Sequence, residues 1–321
     1  MKRYLLRRLA RGLLILIGVS ICSFVLADLA RGDFFAEARL NSRISKETIA
    51  ALREQYGLDR PILWRYAHWL ASVFHGDWGF SLSYNMPVGP LLWARMQNTL
   101  LLTVSAMLLT WIAAIPLGVW IASTGARVNR LLSWSAVAML MATPDLLVVL
   151  VLELIATHSG LLPLGGMISL EYSQMNVWDR VQDLARHLAL PVTALVLSSA
   201  PAVVTHTVSA MRETLDSAFI RAAKANGLRR GRLLFFHALP AAANPLISLF
   251  SLSLGALLSS SLIVESALGW PGLGRLMIEA TLQRDGYVVI GVVMLSAAFL
   301  VCGTLIGDML LYWADPRIRR E

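Results

Sequence analysis

Long uncharged stretches alternate with short charged ones along most of the chain, and their lengths predict its elements. Arg95 and Arg127 enclose 31 residues without Asp, Glu, Lys or Arg; Arg186 and Arg212 enclose 25, Arg232 and Glu265 enclose 32, and Asp285 and Asp308 enclose 22. A helix needs about 20 predominantly apolar residues to cross a bilayer, so each stretch predicts a span. Residues 12–27 are apolar but short, and residues 131–157 are apolar apart from Asp145 and Glu153. The pattern predicts an all-α polytopic membrane protein with six transmembrane helices, near 10–30, 98–122, 131–157, 188–210, 242–265 and 287–312.

The segments between the spans divide the chain into residues 1–30 (an N-terminal segment and the first span), a loop at 31–97, and a five-helix core at 98–321 with a further loop at 211–240. In the first loop Ser45 can cap a helix with Ile49, Leu52 and Tyr56 on one face, closed by Gly57. Pro61 opens a second helix carrying Trp64, His68 and Phe74. Together they read as a small amphipathic cap on the membrane surface. The polar loop at 158–187, with Gly160, Pro163 and Gly165-Gly166, reads as a turn.

Composition agrees with the spans. Of 321 residues 57% are hydrophobic and 15% charged, against about 25% charged in a soluble domain, and mean hydropathy is +0.64. The net charge of +8 matters through its placement and implies no nucleic-acid partner. With the N-terminus inside, inner segments hold 16 basic and 4 acidic residues and outer segments 12 and 11. That asymmetry places both termini and 211–240 in the cytoplasm and 31–97 outside. A cleaved signal peptide ending at Val25-Leu26-Ala27 is the alternative start, but its apolar core would exceed the usual length.

Candidate chemistry is sparse, and no enzyme is implied. None of the three lysines, Lys2, Lys46 and Lys224, follows a glycine, which excludes a G-x-x-x-x-G-K-[ST] nucleotide loop. No G-x-S-x-G elbow occurs, no H-E-x-x-H pair exists, and Cys22 and Cys302 lie far apart. No cofactor, metal or catalytic residue is predicted, so ATP-driven work would need ATP and Mg bound on another chain.

Three groups of residues stand out. Asp145 lies near the middle of the expected 131–157 span, beside Pro144, with Glu153 eight residues on. An ionised side chain at that depth costs about 2.5–3.5 kcal/mol. Asp145, Glu153 and Asp308 could therefore line a translocation pathway, or Asp145 could be held by a hydrogen bond or protonated by burial. "WPGLGRL" at 270–276 suits an outer-face clamp built on Trp270, Pro271, Gly272, Gly274 and Arg275, with Trp270 at headgroup level. "FIRAAKANGLRRGRLLFFHALP" at 219–240 predicts two short inner helices. The first ends at Asn226-Gly227, Leu233, Leu234 and Phe236 lie on the second, Pro240 breaks it, and Ala222-Ala223 leave a notch poor in side chains.

Ala222-Ala223-x3-Gly227 with Leu239-Pro240 resembles the E-A-A-x3-G-x9-I-x-L-P signature of binding-protein-dependent ABC permeases. "RYLLRRL" at 3–9, "LREQYGLDRPILWRYAHWL" at 52–70, "GDWGFSLS" at 76–83, "NTLLLT" at 98–103, "IPLGV" at 115–119, WPGLGRL and "DPRIR" at 315–319 resemble the dipeptide/oligopeptide/nickel branch in order along the chain. Arg221 stands where the general signature has Glu, Arg31-Gly32-Asp33-Phe34 replaces a proline-flanked Gly-Asp, and Asp145 follows Pro144 where a neutral residue is usual.

The resemblance implies the fold of a type I ABC importer permease in the inner or plasma membrane of a prokaryote. It also implies a role as half of a solute pathway for peptides or similar small solutes. The implied partners are a homologous second permease subunit, two cytoplasmic ABC ATPase domains, an extracytoplasmic solute-binding protein and the lipid bilayer. In such a permease the 219–240 loop is a coupling helix, and its docking residues here would be Arg221, Ala222, Ala223, Lys224, Gly227 and Leu228. The alternative is an ion-coupled secondary transporter using Asp145, Glu153 and Asp308, although such transporters usually show internal symmetry. The solute itself is left open among dipeptides, longer peptides, nickel complexes and other solutes.

Overall fold

The computed structural model describes residues 2–29, 60–124 and 127–314. The expected helix from Ser45 to Gly57, Arg31 to Phe34 and the 315–319 stretch lie outside the described residues. The described chain is helical apart from one small hairpin and connecting loops, the longest at 160–176 with a 3-10 turn at Tyr172–Gln174. Its first part holds α1 (Lys2–Leu29), α2 (Ile62–Phe74), strands β1 (Phe80–Ser81) and β2 (Met86–Pro87), and α3 (Val88–Ser123). Next come α4 (Arg127–Ala142), α5 (Asp145–Ser159), α6 (Val177–Leu215), α7 (Ala218–Ala225) and α8 (Arg230–Leu233). A π-helical turn at Leu234–Ala238 leads into α9 (Leu239–Ala241), α10 (Ala243–Ala267), α11 (Leu273–Leu282) and α12 (Gly286–Ala314). The strands pair antiparallel, Phe80 opposite Pro87 and Ser81 opposite Met86.

Among the described residues five helices are long and apolar enough to cross a membrane: α1, α3, α6, α10 and α12. A sixth span exists if α4 and α5 count as one, and here the structure departs from the pattern. The expected helix over 131–157 is two helices bent by 104° at Thr143-Pro144. Proline removes a backbone donor and disfavours helical geometry in the residue before it. Pro144 is extended at φ −60°, ψ 143°, and its carbonyl accepts from the Leu147 and Val148 amides at 2.9 and 3.2 Å to start the new helix. Three other helices start earlier than expected, α1 at Lys2 rather than 10, α3 at Val88 rather than 98 and α6 at Val177 rather than 188. Charged residues such as Arg95 and Arg186 end an uncharged run but do not end a helix. At 39 residues, α6 is about 58 Å long, well beyond the ~30 Å hydrocarbon core.

The chain divides into two compact units. One comprises Leu100–Trp270 and Phe299–Glu321, with Met1; the other comprises Lys2–Thr99 and Pro271–Ala298. In the first, α6 is the common packing partner. Leu190, Val192, Ala194 and Leu195 meet Leu102 and Met107 of α3, Val149 of α5 and Leu257 and Val264 of α10. Val203, Val204 and Val208 meet Ala114 and Ile121 of α3 and Val137 of α4. In the same unit Gly303 and Gly307 of α12 abut Leu254 and Ser251 of α10 so closely that an added Cβ at either would overlap them. Small residues four apart let membrane helices approach. In the second unit Phe24 of α1, Trp69 of α2 and Ile290 of α12 form a buried aromatic-aliphatic cluster.

The α10–α12 approach can be tested. Gly307→Val should weaken the pairing by about 1–3 kcal/mol, seen as a lower melting temperature and yield of detergent-solubilised protein. Ser251→Gly in the same chain should recover part of the loss.

Candidate functional site

The 219–240 segment begins where α6 stops. Ser217 is extended (φ −72°, ψ 152°) and starts α7, and its hydroxyl turns back to the Thr214 carbonyl at 2.5 Å. The Arg221 guanidinium donates to the Asp216 carbonyl at 3.0 Å. Helix α7 then splits into two faces. Ile220 is buried with Val119, Ala210, Met211, Leu233, Leu234, Ala238 and Ala242, and Ala223 packs against that cluster. Phe219, Arg221, Ala222, Lys224 and Asn226 are exposed. The notch is therefore one residue narrower than the sequence implies: Ala222 faces outward, and Ala223 serves the core.

The stop after α7 is the one expected. Gly227 has φ +77°, its amide donates to the Lys224 carbonyl at 3.1 Å, and the Leu228 amide reaches back to Ala223 at 3.4 Å. These two bonds cap carbonyls that the end of a helix leaves open. Nothing lies within 4 Å of a Cβ at Gly227, so backbone conformation alone selects glycine there. The second half differs from expectation. Pro240 does not break the helix but lies inside α9, and the break comes at Ala242. The π turn before it keeps Leu233, Leu234 and Ala238 buried while Phe235 and Phe236 are exposed. Arg230 is tied to the Ser123 carbonyl at the end of α3. The result is an outward surface of Phe219, Ala222 and Phe236 among Arg221, Lys224, Arg229 and Arg232.

The three acids expected along a pathway lie on two elements, Asp145 and Glu153 on α5 and Asp308 on α12, all partly exposed. Asp145 is not at the middle of a continuous span. It is the first residue of α5, where a carboxylate complements the positive end of the helix dipole. Glu153 remains eight residues along, a rise of about 12 Å.

The 270–276 segment is divided between the units. Trp270 is not an exposed headgroup anchor; its side chain is fully buried in the core of the first unit. The left-handed residue is Gly269 (φ +65°), one position before the expected motif, while Gly272 is extended (φ −105°) and Gly274 is buried within α11. In the second unit Asn98 donates to the Pro271 carbonyl at 2.8 Å and the Leu273 amide donates to the Thr99 hydroxyl at 2.7 Å. Arg275 pairs with Glu279 at 2.7 Å.

Sequence reasoning missed the partners of this clamp. The Tyr84 hydroxyl, in the turn of the hairpin, donates to Glu279 at 2.5 Å. Buried Asp285 accepts from the Ser81 hydroxyl at 2.7 Å and the Ser83 amide at 3.1 Å. Burial, then the bond to Glu279, pushes the Tyr84 phenol up to about 12. Burial alone would raise the Glu279 carboxyl, but hydrogen bonds from Tyr84 and Arg275 outweigh it and hold the group below the usual carboxylate range. Nearly 200 residues separate these partners, and the quoted stretches GDWGFSLS and NTLLLT were the only local signal.

Comparison with known proteins places these features in context. Residues 114–320 match the family described as binding-protein-dependent transport system inner membrane component. Residues 1–103 match its N-terminal companion, binding-protein-dependent transport system membrane component, N-term. The oligopeptide transport system permease protein AppB of Bacillus subtilis (strain 168) is 33% identical, covering 99% of both chains. The dipeptide transport system permease protein DppB of Escherichia coli (strain K12) is 32% identical over the full length of both. A solved chain of the MetNI methionine ABC transporter in an inward-facing conformation has a similar fold, with TM-score 0.58 and 18% identity over 70% of this chain and 96% of that one.

The clamp makes stability depend on acid. Because its folded pKa is depressed, Glu279 contributes stability above its ordinary value of 4.5. That contribution is lost as pH falls below 4.5 and through the folded value. Glu279→Gln should flatten this acid limb of the melting-temperature profile and lower the melting temperature at pH 7. An unchanged acid limb would place the loss elsewhere.

Proposed function

The chain belongs to the inner-membrane permease family of binding-protein-dependent transport systems, and from that premise we propose how it works: as one permease subunit of an ATP-driven importer of peptides or similar small solutes. The observation that carries the coupling role is the two-faced helix α7. Ile220 anchors it to the ends of α3 and α6, and Arg221, Ala222 and Lys224 are offered outward. A short helix fixed on one face and open on the other, with the small residues Ala218, Ala222 and Ala225 exposed, suits close approach of a separate ATPase. Leu228 and Gly227 set its end. The relatives named for oligopeptide and dipeptide transport support the solute class.

The assembly this reading requires has a homologous second permease, two cytoplasmic ATPase domains that bind ATP and Mg, and an extracytoplasmic solute-binding protein. Both termini and residues 211–240 lie in the cytoplasm. Asp145, Glu153 and Asp308 line the pathway and favour a cationic group. Trp270, Pro271, Gly272, Gly274 and Arg275 hold its outer end. Membership of the family displaces the ion-coupled reading of the same three acids.

Reconstitution with candidate ATPases tests the coupling. Ala222→Arg should abolish ATPase co-purification and ATP-dependent uptake while leaving yield and melting temperature unchanged, because the side chain is exposed. Gly227→Val should also uncouple, with an added stability loss of about 1–2 kcal/mol from the left-handed backbone. Normal uptake by both variants would remove this segment as the dock. For the pathway, Asp145→Asn should reduce uptake of cationic solutes and spare neutral ones and assembly; unchanged selectivity would leave Asp145 a helix-terminal residue only.

A further inference from the structure

Helix α2 has two apolar faces. Its inward face, Ile62, Tyr66, Trp69, Leu70 and Val73, packs with Phe24 and Ala27 of α1. Its exposed residues are Leu63, Trp64, Ala67, His68, Ala71 and Phe74, spaced to fall on one side of a helix. Leu63 is 80% and Phe74 81% exposed. A helix that turns one face to water carries charge there, and this face carries no Asp, Glu, Lys or Arg. The one such residue in α2, Arg65, is turned inward, where it pairs with Asp28 of α1 at 2.7 Å and lies 5.7 Å from the Phe24 ring.

The depth of α2 follows from where it touches α1. The Tyr66 hydroxyl meets Ser20 at 2.9 Å, Trp69 packs on Phe24 at a ring separation of 5.8 Å, and Arg65 meets Asp28. Ser20 to Asp28 is about 12 Å of helix rise, so α2 accompanies the last turns of α1. Arg11 and Asp28 enclose 16 uncharged residues, about 24 Å of helix, so Asp28 lies near one end of the ~30 Å core. Neutralising Asp28 with Arg65 lets the apolar length continue through Leu29, which is itself 71% exposed, as Leu26 is 67%. The apolar surface of α2 continues that of this span.

We infer that α2 is immersed in the membrane leaflet at the C-terminal end of α1, its Leu63-to-Phe74 face against lipid, and that it flanks the last turns of the first span, where Arg65 neutralises Asp28. The Trp64–His68 stack (5.0 Å, 6°), with Arg60 5.3 Å from the Trp64 ring, has the amphipathic aromatic and cationic character that favours the headgroup boundary. The inference rests on α1 crossing the bilayer and not on ATPase docking, so the two stand or fall separately.

Spin labels decide it. Single cysteines replace Leu63, Ala67 and Ala71 in a chain whose Cys22 and Cys302 are changed to Ala, with Leu26→Cys and Asn85→Cys as references. Each is labelled with a nitroxide in the complex isolated from membranes and returned to phosphatidylethanolamine–phosphatidylglycerol vesicles. Relaxation by oxygen and by a water-soluble nickel chelate is then measured. Lipid contact predicts an oxygen-to-nickel ratio several-fold above that at Asn85 and close to that at Leu26. Nickel access equal to that at Asn85 would mean a water-facing helix. Exclusion of both reagents would mean that another protein covers the face. Either of the last two results overturns the inference.

Discussion

Inside hydrocarbon a backbone amide or a hydroxyl has no water to bond with, so each must find its partner within the chain. The long helices of this protein follow from that constraint, and so do their irregularities. Pro191 and Pro201 lie inside α6 and Pro116 inside α3, each removing a donor without ending the helix. Hydroxyls are absorbed locally. Thr193, Ser199, Thr205 and Thr207 of α6 all donate to the carbonyl four residues back, at 2.6–2.8 Å. Ser253 and Ser266 of α10 do the same at 2.8 and 2.7 Å. Polar side chains are thereby carried in apolar helices with most of their bonding kept local, while Thr110–Ser199 and Ser20–Tyr66, both at 2.9 Å, also bond between helices.

With most hydroxyls spent locally, helix association depends mainly on shape. Gly303 and Gly307 admit Leu254 and Ser251, and Gly118 admits Thr207. Valine and leucine side chains fill the remaining contacts around α6. Carboxylates behave differently. Asp28, Glu279 and Asp285 each bind a group distant in sequence. Such bonds fix which segments meet, because a buried carboxylate left without its partner is costly. Shape therefore sets how closely the helices pack, and a few charged bonds set which loops join them.

The α7–α8 surface combines both devices. Its inward side is apolar packing around Ile220, and its outward side is basic with a small central residue. Two backbone bonds at Gly227 end the helix, and the Arg230 contact at the end of α3 ties the segment to a long helix. Its buried side thus packs on the ends of α3 and α6.

Charge-free length determined the existence of the long helices and their all-α class, since a bilayer demands uncharged runs wherever they occur in the chain; the family was legible only through the resemblance carried by stretches such as Ala222-Ala223-x3-Gly227 and WPGLGRL. Local backbone preference likewise placed the stop at Gly227, a left-handed position legible from Asn226-Gly227. Tertiary structure decided the rest. The bend at Pro144 needed the surrounding helices, because proline inside a span is compatible with either a continuous or a broken helix, as Pro116 and Pro191 demonstrate. Ala222 and Ala223 are identical in sequence terms, and only packing turned one outward. Trp270 could serve an interface or a core equally well by composition, and its neighbours put it in the core. The pairings of Tyr84 with Glu279 and of Ser81 with Asp285 join residues far apart in sequence, and periodicity within a helix carries no information about partners at that range.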